Sequence, residues 1–209
     1  MSPKSMFDFW GGMEGFNRAR QGTSSGRVLP HPYLRDQNVV GTNSSAPGTT
    51  DNLVGMGGND TITGLAGVNN INGREGNDRI VTGFWGNSVD NVTGGRGNDT
   101  FVVAFEFDSY DTSNRNPDGS SVSVLNVSDF TAGEDKLHFQ NTNLVFSDLD
   151  TNGDGVIGAG DGSSNFFASQ DERGLHLGFT DGHFINLAGV SSLTANDVSF
   201  ATALPVGIA

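Results

Sequence analysis

The sequence contains no cysteine, so disulfides and thiolate metal sites are excluded as sources of stability. It also has no apolar stretch of the roughly 18 or more residues that a membrane-spanning helix requires. The first residues lack the apolar run of a cleaved signal peptide. We therefore expect a chain that does not span a membrane and that leaves the cell, if it does, without a cleaved N-terminal signal.

Basic residues are scarce, because 11 Lys and Arg stand against 24 acidic residues and the net charge is −13. A charge of this sign disfavours nucleic acid as a partner. The acidic residues are 19 Asp and only 5 Glu, and the chain holds 31 Gly. Asp is the carboxylate preferred in turns and calcium loops. The composition thus favours a turn-rich β protein that binds cations and whose folding is coupled to that binding.

Signals of catalysis are missing from the sequence. The four histidines have no short metal-ligand spacing, and no Gly-x-Ser-x-Gly elbow or phosphate-binding loop is present; they are His31, His138, His176 and His183. Carboxylate pairs are abundant, so a glycosidase-like pair stays open. We predict no catalytic residue and expect that the protein is not an enzyme.

A nine-residue phrase recurs five times between residues 55 and 102, and a degenerate copy centred on Asp51 precedes it. Its general form is Gly-Gly-x-Gly-x-Asp-x-U-x, where U is a large apolar residue, and one copy carries two extra residues. Glycines at the first and fourth positions permit a tight turn, and the last three residues are typical of a short strand. The regular spacing argues against the alternative of a flexible Gly/Asn-rich linker.

The aspartate of each phrase has a physical role. One apolar residue in nine is too little to hold a core against chain entropy. Carboxylates brought together by successive turns repel one another unless a hard cation lies between them, and ligation by oxygen alone selects calcium. The sequence therefore predicts Ca²⁺ as the cofactor.

This phrase resembles the RTX (repeats-in-toxin) family, whose nonapeptides wind into a calcium-filled parallel β-roll. The resemblance implies an all-β fold, a roll unfolded without calcium, and secretion by a type I route. Because a roll has two strands per coil, alternate repeats would share an edge. One edge would then carry Asp60, Asp78 and Asp99, and the other Asp51, Asn69 and Asp90. Since Asn69 is neutral, we expect tighter calcium binding at the first edge.

A second calcium motif lies at residues 150–161. Its spacing is that of an EF-hand loop, with ligands expected from Asp150, Asn152, Asp154, the Val156 carbonyl and Asp161. The last ligand is Asp rather than Glu, and the flanks are not two amphipathic helices. We interpret the segment as an isolated calcium loop between strands; the alternative is an Asp/Gly turn that binds nothing.

Three regions are predicted: an extended arm at 1–41, the β-roll at 42–102, and a strand-rich, β-sandwich-like region at 103–209. Residues 122–139 and the final strands resemble the segments that follow RTX repeats, which implies a C-terminal secretion signal. The arm has a net charge of +3 before residue 36, against −16 for the remainder. Five of its large apolar residues are candidates for docking: Phe7, Phe9, Trp10, Met13 and Phe16. The arm either caps its own roll or docks on another copy.

These patterns together predict a secreted, extracellular or cell-surface, calcium-binding structural protein that self-associates in a matrix, filament or surface layer. The partners would be calcium ions and other copies of the chain. The alternative is a small secreted enzyme or effector with an unrecognised active site in residues 103–209.

Overall fold

The computed structural model describes residues 34–42, 50–83, 88–104, 122–180 and 182–202. Residues 1–33 of the predicted arm, including its five large apolar side chains, lie outside the described residues. So do the whole polar segment at 108–121 and the tail at 203–209, where the secretion signal was expected to end. No helix in the described part of the chain is long and apolar enough to cross a membrane.

The first sheet has six strands, and every neighbouring pair in it is parallel. Their order across the sheet is β1 (Asn38–Val40), β3 (Thr61–Thr63), β5 (Arg79–Gly83), β7 (Thr100–Ala104), β9 (Lys136–Gln140) and β15 (Val198–Ala201).

The second sheet has seven strands, five of them parallel and the last two joined antiparallel at one end. Their order is β2 (Thr50–Val54), β4 (Val68–Glu75), β6 (Val89–Arg96), β8 (Ser123–Val127), β13 (His183–Ala188), β12 (Gly174–Phe179) and β11 (Phe166–Asp171). From β2 to β9 the chain alternates between the two sheets, so each coil contributes one strand to each. This is a parallel β-roll, as the repeat predicts.

The core lies between the sheets, and the repeats supply it with one inward apolar side chain per strand. The strands β7, β8 and β9 each add a second one, at Val103, Leu125 and Phe139. In the first sheet Ile62, Ile80, Phe101 and Leu137 are paired in register, and all are fully buried. In the second sheet the matching row is Leu53, Ile71, Val92, Val127 and Leu187. Both rows belong to one hydrophobic cluster, which explains why the large apolar position of each repeat is required.

A smaller layer precedes the final strands. A four-residue helix, α1 (Phe146–Leu149), leads into the predicted calcium loop. The loop is followed by β10 (Val156–Gly158), which pairs antiparallel with β14 (Ser192–Thr194). Leu149, Ile157 and Leu193 are fully buried here, so this layer is anchored by its own apolar side chains. The loop thus lies between a short helix and a strand, rather than between two strands.

The sheets also extend beyond the boundaries expected for the roll. β1, within the expected arm, pairs with β3 in register. After residue 102, β8 and β9 continue both sheets, because Val127 and Leu137 supply the next inward apolar side chains. Phe200 stacks on Phe139 at a centroid distance of 5.3 Å and closes the far end. Most strands of the predicted strand-rich region at 103–209 therefore belong to the same two sheets as the repeats.

Candidate calcium-binding site

The first edge of the roll carries a row of buried aspartates, each placed by a glycine turn immediately before a strand of the first sheet. Asp60, Asp78 and Asp99 are each 1% exposed. The Oδ1 atom of Asp78 accepts the backbone N–H of Asp60 at 2.7 Å, and that of Asp99 accepts the N–H of Asp78 at 2.8 Å. Each carboxylate therefore joins its own coil to the preceding one.

The asparagine before each of these aspartates makes the reciprocal bond. Asn77 N–H donates to Asn59 Oδ1 at 2.8 Å, and Asn98 N–H donates to Asn77 Oδ1 at 2.9 Å. Sequence reasoning missed this function, although the recurring Asn-Asp dipeptide carried the signal. Two side-chain bonds of opposite direction thus close each interface between neighbouring coils.

The aspartate row continues past the last nonapeptide. Asp135 is 5% exposed, and its Oδ1 accepts the N–H of Asp99 at 2.8 Å. Its Oδ2 accepts the N–H of Thr131 at 2.8 Å. Sequence reasoning did not select Asp135 as a ligand, yet it immediately precedes β9 just as Asp60 precedes β3. Position before a strand was the signal that could have found it.

The second oxygens of the nonapeptide aspartates face their own turns. A Cβ at Gly73 would overlap Asp78 Oδ2, and the same overlap arises between Gly55 and Asp60 and between Gly94 and Asp99. This contact explains the first glycine of the phrase. Asp78 Oδ2 is also a buried atom for which the described residues provide no hydrogen-bond partner. Such an oxygen fits a cation, because an unpaired buried carboxylate oxygen is costly.

Burial and mutual repulsion make this row electrostatically unfavourable. Burial raises the pKa of Asp99 to about 6, and the neighbouring carboxylates of Asp135 and Asp78 add to the increase. Burial likewise raises the pKa of Asp78 and of Asp135 above the usual range. A divalent cation at this edge would offset both effects.

The opposite edge differs because an amide interrupts its carboxylates. Asp51, Asn69 and Asp90 are paired in register on β2, β4 and β6, which is the grouping that alternate repeats predict. Asn69 Nδ2 donates to Asp90 Oδ1 at 2.7 Å, whereas Asn69 Oδ1 is buried without a partner among the described residues. Asp51 Oδ2 accepts the N–H and the hydroxyl of Thr42 at 2.6 and 2.9 Å. This edge is thus partly neutralised by its own donors.

Within the described ranges, no three His, Cys, Asp or Glu side chains converge as a metal-binding group. The roll supplies about one carboxylate per coil at each edge, so a calcium ion there would need backbone carbonyl oxygens of the glycine turns as further ligands. Calcium accepts such mixed oxygen sets readily.

The loop at 150–161 is closed by hydrogen bonds from its own backbone. Asp150 Oδ1 accepts from Gly153 and Asp154 at 2.9 and 3.1 Å, and its Oδ2 accepts from Gly155 at 3.0 Å. Asn152 Oδ1 accepts the N–H of Asp154 at 2.9 Å. Asp154 Oδ1 in turn accepts the N–H of Val156 at 3.0 Å. The predicted ligands therefore shape a compact turn in which the carboxylates do not converge.

Asp161, expected to complete the ligand set, is buried beneath this loop. Its Oδ1 accepts the N–H of Thr151 at 2.8 Å, and its Oδ2 accepts the N–H of Gly158 at 2.8 Å. Burial alone would raise the pKa of Asp161, but the N–H groups of Gly158, Asn152 and Thr151 outweigh it and hold the pKa below its usual value. Both carboxylate oxygens of Asp161 thus have protein donors, whereas Asp78 has a donor at Oδ1 and none among the described residues at Oδ2.

The sequence profile of the RTX calcium-binding nonapeptide repeat matches residues 48–80 and 86–102 in four copies. This segment is an RTX repeat array. RTX nonapeptides bind calcium, so calcium is the cofactor of the array. The RTX array includes the whole row from Asp60 to Asp99, whereas Asp135 and the loop at 150–161 lie outside the matched residues.

Among solved structures, the chain is similar to "Solution Structure of AlgE6R3 subunit from the Azotobacter vinelandii Mannuronan C5-epimerase". The two sequences are 23% identical, the alignment covers 89% of this chain and 88% of that chain, and the TM-score is 0.36. Comparison with curated protein sequences gives no match.

Proposed function

We propose that this chain is an extracellular structural protein whose RTX array folds around calcium after export and then self-associates as part of a matrix, filament or surface layer. The observation that supports calcium-dependent folding is the buried row at Asp60, Asp78 and Asp99, with its raised pKa values and an oxygen without a protein donor. An ionised row of this kind opposes folding until a cation binds.

The proposal assigns the tighter calcium sites to the edge of Asp60, Asp78 and Asp99, and adds Asp135 as its last member. The edge of Asp51, Asn69 and Asp90 binds more weakly, because the Asn69 amide already occupies Asp90 Oδ1. The loop at 150–161 is a separate, weaker site, since backbone N–H groups already occupy part of the acceptor capacity of Asp150 and Asp161.

Calcium titration monitored by circular dichroism tests the export component of this proposal. Extracellular calcium modules have dissociation constants of about 10⁻⁴–10⁻³ M, so a chain that stays unfolded in the cytosol should fold in that range. A folding midpoint near the micromolar concentrations at which intracellular sensors respond would contradict folding after export. Magnesium at the same concentration is the control, because it tolerates irregular oxygen sets poorly.

Self-association is supported by the charge contrast between the first 35 residues, at +3, and the rest, at −16. Electron microscopy of the calcium-loaded chain, with light scattering, tests it: ordered polymers support the structural role. Compact monomers under all calcium concentrations would favour the alternative of a small secreted enzyme or effector.

Deletion of residues 1–33 is the matched variant for the arm. It retains Gln37, whose N–H donates to Asp60 at 2.7 Å, and β1, so the roll itself is preserved. Loss of assembly with an unchanged calcium-induced β spectrum supports an arm that docks on another copy. Loss of the β spectrum supports a cap instead, and an unchanged result in both assays contradicts both roles.

A further inference from the structure

A continuous row of asparagine side chains runs across the outer face of the second sheet. Neighbouring strands place these residues in register, and each amide Nδ2 donates to the Oδ1 of the asparagine on the adjacent strand. The four bonds measure 3.1, 3.1, 3.0 and 2.8 Å and link Asn52, Asn70, Asn91, Asn126 and Asn186. We call these five residues the amide ladder.

The amide ladder ends at a histidine that extends it by two bonds. His176 Nδ1 lies 2.8 Å from Asn186 Oδ1, and its Nε2 lies 2.9 Å from Asp171 Oδ1. Because both ring nitrogens are engaged, the ring is fixed in orientation and does not offer a free base. The ladder is therefore a positioned array of donors and acceptors rather than a catalytic centre.

Each amide in the ladder retains hydrogen-bonding capacity. An asparagine side chain has two N–H donors and two acceptor lone pairs, and the ladder uses one donor and one lone pair at an interior position. The remaining groups repeat once per strand, at about 4.8 Å. Asn52, Asn70 and Asn91 are exposed, so these groups are accessible.

The ladder forms part of an open groove with a volume of about 740 Å³. A second outward row borders it, in which Thr93 Oγ1 lies 2.9 Å from Ser128 Oγ and Asn72 is in register with Thr93. Arg173 also lines the groove, but no carboxylate does so among the described residues. In a chain of net charge −13, this surface is rich in amides and hydroxyls, and Arg173 is the permanently charged side chain that lines it.

An apolar row lies on the other side of the ladder and on the same sheet face. It includes Val68 and Phe167, which are 37% and 45% exposed, and Phe184, whose ring is 6.4 Å from that of Phe167. The ring of Phe167 lies over Gly178, where a Cβ would overlap it. The face thus alternates apolar and hydrogen-bonding rows, a combination suited to a ligand with C–H faces and hydroxyl edges.

We propose that this groove binds a neutral, linear polysaccharide lying across the strands, with sugar hydroxyls bonded to the amide ladder and the Thr93 row. Sugar hydroxyls both donate and accept, as the unused amide groups require. A polyanion is disfavoured by the net charge of −13, and a neutral chain is not repelled. The regular strand spacing suits a ligand with a regular repeat along its length.

Affinity electrophoresis of the calcium-loaded chain tests this proposal. Native gels would contain hydroxyethylcellulose as the neutral linear probe, polygalacturonate as the acidic one, or no polysaccharide. Retardation by hydroxyethylcellulose is the expected result. No retardation by it would overturn the proposal and leave the ladder as a purely structural feature of the sheet. Retardation by polygalacturonate alone would likewise overturn the assignment of a neutral ligand.

Two variants locate the binding surface. Asn91→Ala interrupts the ladder at its centre and should weaken retardation about fivefold to tenfold, the equivalent of one or two hydrogen bonds. Asn72→Ala leaves all five ladder residues in place and should weaken it severalfold, which separates ligand binding from sheet stability. Asn196→Ala, an exposed asparagine outside the groove, should change nothing. Wild-type affinity in both groove variants, with calcium-induced folding intact, would place the binding elsewhere and contradict the proposal.

Discussion

The RTX array and the C-terminal segment from β10 to β15 both bury aspartates, but they compensate them in different ways. Asp197, immediately before β15, is 2% exposed and accepts from Gly133 N–H at 2.6 Å and from Thr194 N–H and hydroxyl at 2.7 and 2.6 Å. Burial would raise its pKa, but the Thr194 and Gly133 donors and nearby Lys136 hold it below the usual value. In the RTX array Asp78 and Asp99 have raised pKa values. Burial of a carboxylate therefore does not by itself indicate a metal ligand. A shortage of hydrogen-bond donors around the buried carboxylate does indicate one.

Calcium removal should produce the largest difference between the two regions, measured as amide protection from hydrogen exchange. In excess chelator the ionised row of the RTX array repels itself, so amide protection at Ile62, Ile80 and Phe101 should fall to near that of an unfolded chain. Amides of β10 and β14, with their own apolar anchors, should retain more protection. Hydrogen exchange with mass spectrometry measures both. Equal loss in both regions would show that they unfold as one unit, and unchanged protection in the array would contradict a calcium requirement.

Removal of the charge at Asp78 and at Asp197 should distinguish the two regions, because in chelator the two substitutions should differ in the sign of their effect on the free energy of unfolding. Asp78→Asn should destabilise the calcium-loaded chain by about 3 kcal/mol, since a buried charged partner is lost. In chelator the same change should be neutral or stabilising, because it removes repulsion and the cost of burying a charge.

Asp197→Asn is the matched control. It should destabilise by about 1–3 kcal/mol in calcium and in chelator alike, because the Thr194 and Gly133 donors lose their charged acceptor in either condition. Denaturant unfolding in calcium, and denaturant unfolding in chelator with sucrose added to favour the folded state, give the four values. A destabilising Asp78→Asn in chelator would show that this carboxylate is satisfied by protein donors alone.

Acidity should affect the metal-free array in the opposite direction from most proteins. The pKa of Asp99 is raised from 3.8 to about 6, so the folded array binds this proton more tightly than the unfolded chain does. In chelator, this contribution favours folding at low pH and is lost as the pH rises through this interval. In calcium the trend should reverse, because protons compete with the metal.

The β signal in circular dichroism as a function of pH, with Asp99→Asn as control, measures this effect, because it reports acid-induced folding even where the metal-free array is largely unfolded. The variant should show a shallower dependence than the wild type in chelator. Identical slopes would exclude Asp99 as the titrating group.

The smallest expected effect concerns the opposite edge. Asn69→Asp removes the amide donor from Asp90 and gives a row of three carboxylates in register, at positions 51, 69 and 90. Calcium affinity at this edge should rise severalfold while stability in chelator falls, and calorimetric calcium titration measures the first change. Unchanged binding, or wild-type sites that are tighter at the Asn69 edge, would contradict the ranking of the two edges.

The repeat made much of the fold predictable. The fixed spacing of glycine, aspartate and one apolar residue determines a coil, its inward side chain and the edge on which each aspartate lies. The members of the Asp60 row and of the Asp51 row can therefore be assigned from the position of each repeat in the sequence. Asp135 and the continuation through β8 and β9 were not predicted, because the sequence of residues 105–121 does not follow the repeat. The amide ladder was not predicted either, since only strand pairing brings Asn126 beside Asn91 and Asn186 beside Asn126.

The outcome at residues 150–161 shows the limit of spacing as evidence. The motif specifies which oxygens are near one another in sequence, but not which backbone N–H groups compete for them. Asp161 accepts from both sides of the loop, a consequence of its burial beneath the turn that the sequence does not reveal. Local spacing predicted the turn, and tertiary burial determines how its carboxylates are used.

The paired hydrogen bonds made by the Asn-Asp dipeptides affect how the coils can align with one another. Because each interface between coils is closed by the same two bonds, a slip of one whole coil would re-form them with other partners. The middle of the array therefore carries little information about alignment. The alignment of the coils is instead determined at the two ends of the array. At one end Asp36 accepts the N–H of Asn59 at 2.8 Å, and at the other Asp135 Oδ2 accepts the N–H of Thr131. Substitutions at these two ends should permit misaligned coils, whereas substitutions in the middle should only weaken aligned ones.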